Sequence, residues 1–169
     1  MKIMGVDMSP NKVGIAVLES LNKIGSLYLV CDKDLPDSRV FCLKSDGIRR
    51  FIEIRDYLLE FYRKLEADCI VFEDFAYQAS GRSILDIGEL YGVILAGFCE
   101  AGIDYKTLSP TFVKKIFIGK GNANKSLVVI KCARLFKEDF SVFGPYVEDV
   151  CDAIAIAYSY LKVNKEKKR

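Results

Sequence analysis

The sequence contains no histidine. That absence excludes Ser-His-Asp and Cys-His nucleophile chemistry, histidine general-base catalysis, and every zinc site that relies on imidazole. Acid–base or metal chemistry in this chain must come from Asp, Glu, Lys, Tyr or Cys. The six cysteines, Cys31, Cys42, Cys69, Cys99, Cys132 and Cys151, include no C-x-x-C pair, which argues against a four-cysteine zinc site. Most sit inside apolar runs and are expected to be buried thiols in a reducing compartment. No apolar run reaches the ~18 residues that a membrane span requires. Repeats, low-complexity segments and Pro/Gly-rich linkers are also missing. The chain opens on MKIMGVD, which reads as a strand and not as a signal peptide. A soluble intracellular protein with no membrane role is the expectation.

What is present fits one domain. The 169 residues suffice for a full core, and 51% of them are hydrophobic. We expect a single domain over residues 1–163 and a basic tail over 164–169. The net charge is only +2, but it is unevenly placed. Residues 106–137 carry eight basic side chains, Lys106, Lys114, Lys115, Lys120, Lys125, Lys131, Arg134 and Lys137, and no acid. A local basic stretch on an otherwise acidic chain suits a phosphate backbone, and equally suits a solvated helix face.

Hydrophobic periodicity gives the order of elements. Lys2 to Asp7, Val13 to Leu18 and Ser26 to Cys31 read as strands, and Val40 to Leu43 can extend the sheet. A helix opens at Gly47, a buried strand follows at Cys69 to Phe72, and Ser83 to Glu100 reads as a largely apolar helix. Ile103 to Leu108 is a further strand. Ser109-Pro110 supplies a capping hydroxyl and a first-turn proline for a helix to about Ile118. Helices over Lys125 to Phe136 and Val147 to Val163 complete a mixed α/β sheet covered on both faces.

Two acids, Asp7 and Glu73, end apolar strands. If those strands are parallel neighbours, the acids meet at the rim where open α/β sheets bind ligands. Asp149 and Asp152, three apart at the start of the last helix, lie on one helix face. Four converging carboxylates repel and raise one another's pKa unless a cation intervenes, and hard divalent ions with oxygen ligands resolve that conflict. Two such ions about 4 Å apart drive in-line phosphodiester hydrolysis. Taken alone, each acid is more often a turn former or a charge favoured at a helix start, and the combined order is the stronger signal.

The motifs MGVDMSPNKVGIAVL, IVFEDFAY, VKKIFIGKGNANKS and EDVCDAIAIAYSYL occur in that order along nearly the whole chain. In this the sequence resembles the RuvC-type Holliday-junction resolvases of the ribonuclease-H-like superfamily, from bacteria or phages. The resemblance implies a five-stranded mixed sheet with helices on both faces and a cytoplasmic nuclease, in a bacterial cell or a phage-infected host. It implies metal ligands at Asp7, Glu73, Asp149 and Asp152 in an all-carboxylate site for Mg²⁺, with Mn²⁺ able to substitute. It implies basic catalytic residues at Lys114 and Lys125, and an aromatic that stacks in the opened junction, for which Phe75 and Tyr77 are the candidates. Arg82, Lys115, Lys120 and Lys125 are further candidates for DNA contact. The apolar helix Ser83 to Glu100 offers a homodimer contact, which suits a substrate with two equivalent strands to cut.

Two other readings stay open. A broader nuclease would act on forks, flaps and three-way junctions, and a non-catalytic DNA-binding protein could share the fold. The loop Gly119 to Ser126 nearly fits G-x-x-x-x-G-K-[ST], but Asn124 stands at the second glycine and the loop joins two expected helices. No nucleotide cofactor is therefore expected.

Overall fold

The first strand already sorts its side chains. In β1 (Ile3–Ser9), Ile3 belongs to one core cluster and Met4 and Val6 to another, as the two-residue period of a strand demands. The computed structural model describes residues 1–74 and 82–166. Within it, β1 forms the centre of a six-stranded sheet with β2 (Lys12–Ser20), β3 (Lys23–Cys31), β4 (Val40–Cys42), β5 (Cys69–Glu73) and β6 (Tyr105–Leu108), in the order β4-β3-β2-β1-β5-β6. Only β2 runs antiparallel to its neighbours. The carboxyl ends of the other five strands consequently share one rim.

The sheet has one strand more than the expected five. Val40–Cys42 pairs in parallel with Leu29–Cys31 and forms an edge. This is the Val40 to Leu43 segment read from the sequence as able to extend the sheet.

Helices cover both faces. Helix α1 (Gly47–Lys64) and helix α2 (Arg82–Glu100) bury Phe51, Ile54, Leu58, Phe61, Leu90, Ile94 and Phe98 against one face. Helix α3 (Pro110–Ile118), helix α4 (Lys125–Leu135) and helix α5 (Val147–Glu166) bury Val113, Phe117, Val128, Cys132, Val150, Ile154 and Leu161 on the other. A 3₁₀ turn over Ser141–Tyr146, unannounced by periodicity, delivers the chain to α5. The cap at Ser109 forms as expected: its hydroxyl accepts from the Phe112 amide at 3.3 Å, with Pro110 in the first turn. Gly119 closes α3 at φ 100°, a left-handed conformation open to glycine at no steric cost.

All six cysteines are free. Cys31, Cys132 and Cys151 are buried and Cys42 and Cys69 half-buried, but Cys99 is exposed, on the solvent side of α2 beyond the buried stripe Leu90, Ile94 and Phe98. Among the described residues, no helix is long and apolar enough to cross a membrane.

Candidate active site

The helix carrying two of the four acids lies directly on the sheet because glycine and alanine let it. A Cβ on Gly5 would stand 2.7 Å from the Ala157 amide nitrogen, and one on Gly14 would stand 2.9 Å from the Val150 amide nitrogen and overlap the Asp149 carbonyl. Real Cβ atoms do not tolerate such approaches, so the backbones of β1, β2 and α5 meet without side chains between them. Ala153 and Ala157 supply the matching small residues on α5. Sequence reasoning missed these glycines as site residues. The signal was available in G-x-D on β1 opposite A-x-x-x-A on α5.

Strand register completes the placement. Asp7 pairs across β1 and β2 with Gly14, the residue that touches Asp149. Val6 pairs in parallel with Phe72, so Asp7 and Glu73 are the next residues at adjacent strand ends. Asp7 shares the parity of Ile3 and Gly5, and Glu73 that of Val71, which turns both toward α5.

The electrostatics show that the acids converge. Burial, followed by the charges of Asp152, Glu73 and Asp149, pushes the Asp7 carboxyl from 3.8 up to about 8, against an opposing pull from Lys125. Burial and Asp152 push Glu73 from 4.5 up to about 7, with Lys114 and Lys125 opposing. Burial also raises Asp152, against the pull of Lys125. Burial works against the charged form of Lys125, but Asp152 and Asp7 overcome it and hold its pKa above the ordinary lysine value. A small cleft of about 60 Å³ is lined by Glu73, Lys114, Lys125 and Asp152, floored by Val113, Phe117, Val128 and Ala155. Larger clefts lie along α1, away from these groups.

Two acids are held by lysines. The Lys125 ammonium stands 3.4 Å from Asp152 Oδ2. Lys12, which sequence reasoning passed over, stands 2.8 Å from Oδ1 and donates to Oδ2 of the buried Asp149 at 3.0 Å. In this arrangement no three metal-ligating side chains form a ready cage among the described residues. The donor set nonetheless suits a divalent cation. It offers only hard carboxylate oxygens, desolvated and mutually repelling, two of which already hold a cation each. On the neighbouring helix, the Tyr91 hydroxyl donates to the Glu73 backbone carbonyl, fixing the end of β5.

The basic candidates divide. Lys114 and Lys125 line the cleft; Lys115 and Lys120 are exposed and stand outside its lining. Lys131 is a structural member of the basic stretch, since it donates to the Phe117 carbonyl and lies 5.1 Å from that ring's centroid and 5.9 Å from that of Tyr158. Phe75 and Tyr77 lie outside the described residues, as does the side chain of Arg82. The near-P-loop joins α3 to α4, two helices, and so lacks the strand-to-helix context of a nucleotide-binding loop.

Carboxylates that repel one another thus stand at the end of a mostly parallel sheet, with lysines facing them across a narrow cleft. The family model described as crossover junction endodeoxyribonuclease RuvC matches residues 3–160. The chain belongs to the RuvC family of crossover junction endodeoxyribonucleases. It is 30% identical to the RuvC of Carboxydothermus hydrogenoformans over 164 residues, covering 96% of this chain and 98% of the relative. To the RuvC of Koribacter versatilis it is 25% identical over 170 residues, covering 95% and 92%. Among solved structures, Thermus thermophilus RuvC in complex with Holliday junction substrate superposes with a TM-score of 0.77 at 21% identity, over 99% of this chain and 96% of that one. The yeast mitochondrial Holliday junction resolvase Ydc2 superposes with a TM-score of 0.71 at 14% identity, over 98% and 80%.

Proposed function

We propose that this chain resolves four-way DNA junctions by hydrolysing phosphodiesters at a site where Asp7, Glu73, Asp149 and Asp152 hold two Mg²⁺ ions, with Mn²⁺ able to replace them. One observation carries the reading: burial and mutual repulsion push Asp7 to about 8 and Glu73 to about 7, a configuration that two divalent cations relieve. Divalent ions held there supply activation of water and neutralisation of charge at the leaving 3′-oxygen.

The chain's own residues do the rest. Asp7 and Glu73, on adjacent rigid strand ends, fix the separation between ligands. Asp149 and Asp152 approach from α5 at a distance set by Gly5 and Gly14. Lys114 and Lys125 face the cleft and offset charge on the scissile phosphate. Lys115 and Lys120, exposed on the same α3–α4 side, contact flanking phosphates and thereby position the duplex. The substrate assignment draws support from the likeness to Thermus thermophilus RuvC, whose structure holds a Holliday junction substrate.

A homodimer fits the outer face of α2. Leu85 is 64% exposed, and a Cβ on Gly88 or Gly92 would meet nothing within 4 Å. A two-fold arrangement there would present two sites to two symmetry-related strands. Sedimentation of the protein with and without a junction tests the oligomer.

The deciding experiment is nicking of a synthetic four-way junction in Mg²⁺. Paired symmetric cuts by the wild type, and their loss in Asp7→Asn, are expected. An Asp7→Asn variant that cuts as fast as the wild type would overturn the assignment. Cleavage of forks at the same rate as four-way junctions would reject strict junction selectivity.

A further inference from the structure

Lys12 opens β2 immediately beyond the turn that follows Asp7. Its backbone is fixed in the sheet, paired with Ser9 on one side and Cys31 on the other, and its carbonyl accepts from the Ser9 hydroxyl at 3.1 Å. The ammonium sits 5.8 Å from the centroid of the Tyr146 ring, whose own hydroxyl donates to Asp32 Oδ1 at 3.2 Å. From that seat it engages both carboxylate oxygens of Asp149, at 2.8 and 3.0 Å. Asp149 is nearly sealed, with its side chain 8% exposed, while Lys12 is 39% exposed. Asp152 is held less closely: the Lys125 ammonium stands 3.4 Å from its Oδ2.

We propose that Lys12 is a positioning residue that orients Asp149 and competes with a divalent ion for its two oxygens. The inference rests on the carboxylate-site reading above and adds a function for a residue outside the four acids. A buried carboxylate without a counter-ion is costly, so Lys12 stabilises the metal-free site. An ion reaching Asp149 must share an oxygen with the ammonium or displace it toward solvent, where its partial exposure leaves room. Either way a positive charge stands beside the incoming cation, and Lys12 sets how much metal the site requires.

The test is calorimetric titration with Ca²⁺, alongside junction cleavage over a range of Mg²⁺ concentrations. Lys12→Met should bind Ca²⁺ about tenfold more tightly, because a unit charge within a few ångströms of the ion has been removed. Its half-saturating Mg²⁺ should fall in parallel, while its kcat at saturating Mg²⁺ also falls, since Asp149 has lost its orienting partner. Lys12→Arg, which keeps the charge, should restore wild-type Ca²⁺ affinity. The metal-free melting temperature of Lys12→Met should drop and its rise on adding Ca²⁺ should exceed that of the wild type. Lys12→Gln serves the same purpose if the methionine variant fails to fold. A Ca²⁺ affinity in Lys12→Met or Lys12→Gln within twofold of the wild type, or weaker, overturns the proposal and leaves the carboxylate site standing. A wild-type protein that binds neither Ca²⁺ nor Mn²⁺ overturns both.

Discussion

The α-carbon of Gly14 lies beneath the carbonyl of Asp149 so closely that a methyl group between them would overlap it. Gly14 is also the cross-strand partner of Asp7. One glycine therefore sets the spacing between a strand-borne acid and a helix-borne acid. Gly14→Ala should destabilise the protein by about 3 kcal/mol or more, since helix and sheet backbones must separate to admit the methyl. Gly5→Ala should cost a similar amount, for the same reason at Ala157. Chemical denaturation measures the loss. A Gly14→Ala protein of wild-type stability would show that α5 does not rest on the sheet there.

Stability of the metal-free protein should decline as pH rises. The folded carboxyl of Asp7 holds its proton up to about 8, against 3.8 for the ordinary group, so between those values the folded state binds more protons than the unfolded one. The favourable contribution is complete below 3.8 and lost as pH climbs through about 8. Glu73 acts in the same sense between 4.5 and about 7. Asp7→Asn removes the larger of the two ionisations and should raise the metal-free melting temperature at pH 8 by ~5 °C, equivalent to about 2 kcal/mol. Melting curves from pH 5 to pH 9 check both the slope and its flattening.

Metal binding should release protons over the same interval. With no histidine in the chain, a metal-linked transition near neutral pH is expected from the raised carboxylates or from water on the metal. Calorimetry with Mn²⁺ at pH 7 in two buffers of different ionisation enthalpy should detect protons leaving Asp7 and Glu73. Identical heats in the two buffers would refute the raised values.

Lys125 and Lys120 should separate chemistry from attraction. Lys125 lines the cleft and pairs with Asp152, so Lys125→Met is expected to lower the cleavage rate by about 10²-fold at saturating DNA. Lys120 is exposed and outside the cleft, so Lys120→Ala should leave that rate intact while reducing the salt dependence of binding by about one phosphate contact. Single-turnover cleavage and salt-titrated binding distinguish the two.

Tyr91→Phe should cost about 1 kcal/mol by withdrawing the hydroxyl that donates to the Glu73 carbonyl. A fall in cleavage rate beyond that expected from the stability loss would show that α2 also holds Glu73 in place.

Much of the architecture is visible in the residues alone, because it depends on local signals. The apolar spacing of Ile48, Phe51, Ile52, Leu58, Leu59, Tyr62 and Leu65 marks α1, although Ile48 and Ile52 are exposed and the buried stripe is Phe51, Ile54, Leu58 and Phe61; Ser109-Pro110 marks the start of α3. Asp7 and Glu73 are conspicuous because each ends an apolar run, and their meeting follows from parallel pairing of those runs. What escapes sequence reasoning is long-range. Lys12 and Asp149 are 137 residues apart, and nothing near either announces the other. Lys131 reads as one more cation in a basic stretch until the fold places it against Phe117 and Tyr158. The exposure of Cys99 depends on the face of α2 that the sheet leaves uncovered.

The alternation along β1 makes the site a matter of parity. Ile3 and Gly5 face α5 while Met4 and Val6 face α1 and α2, and Asp7 follows the odd set. Deleting a single residue between Gly5 and Asp7 would carry the acid to the apolar side and send a hydrophobic residue to the rim, with composition and length nearly unchanged. The same holds for Val71 and Glu73 on β5. In such a chain, change of length is confined to segments that do not count strand positions, such as residues 32–39 between β3 and β4. Substitution can wander widely through the core, whereas insertions and deletions in these two short strands are forbidden one residue at a time.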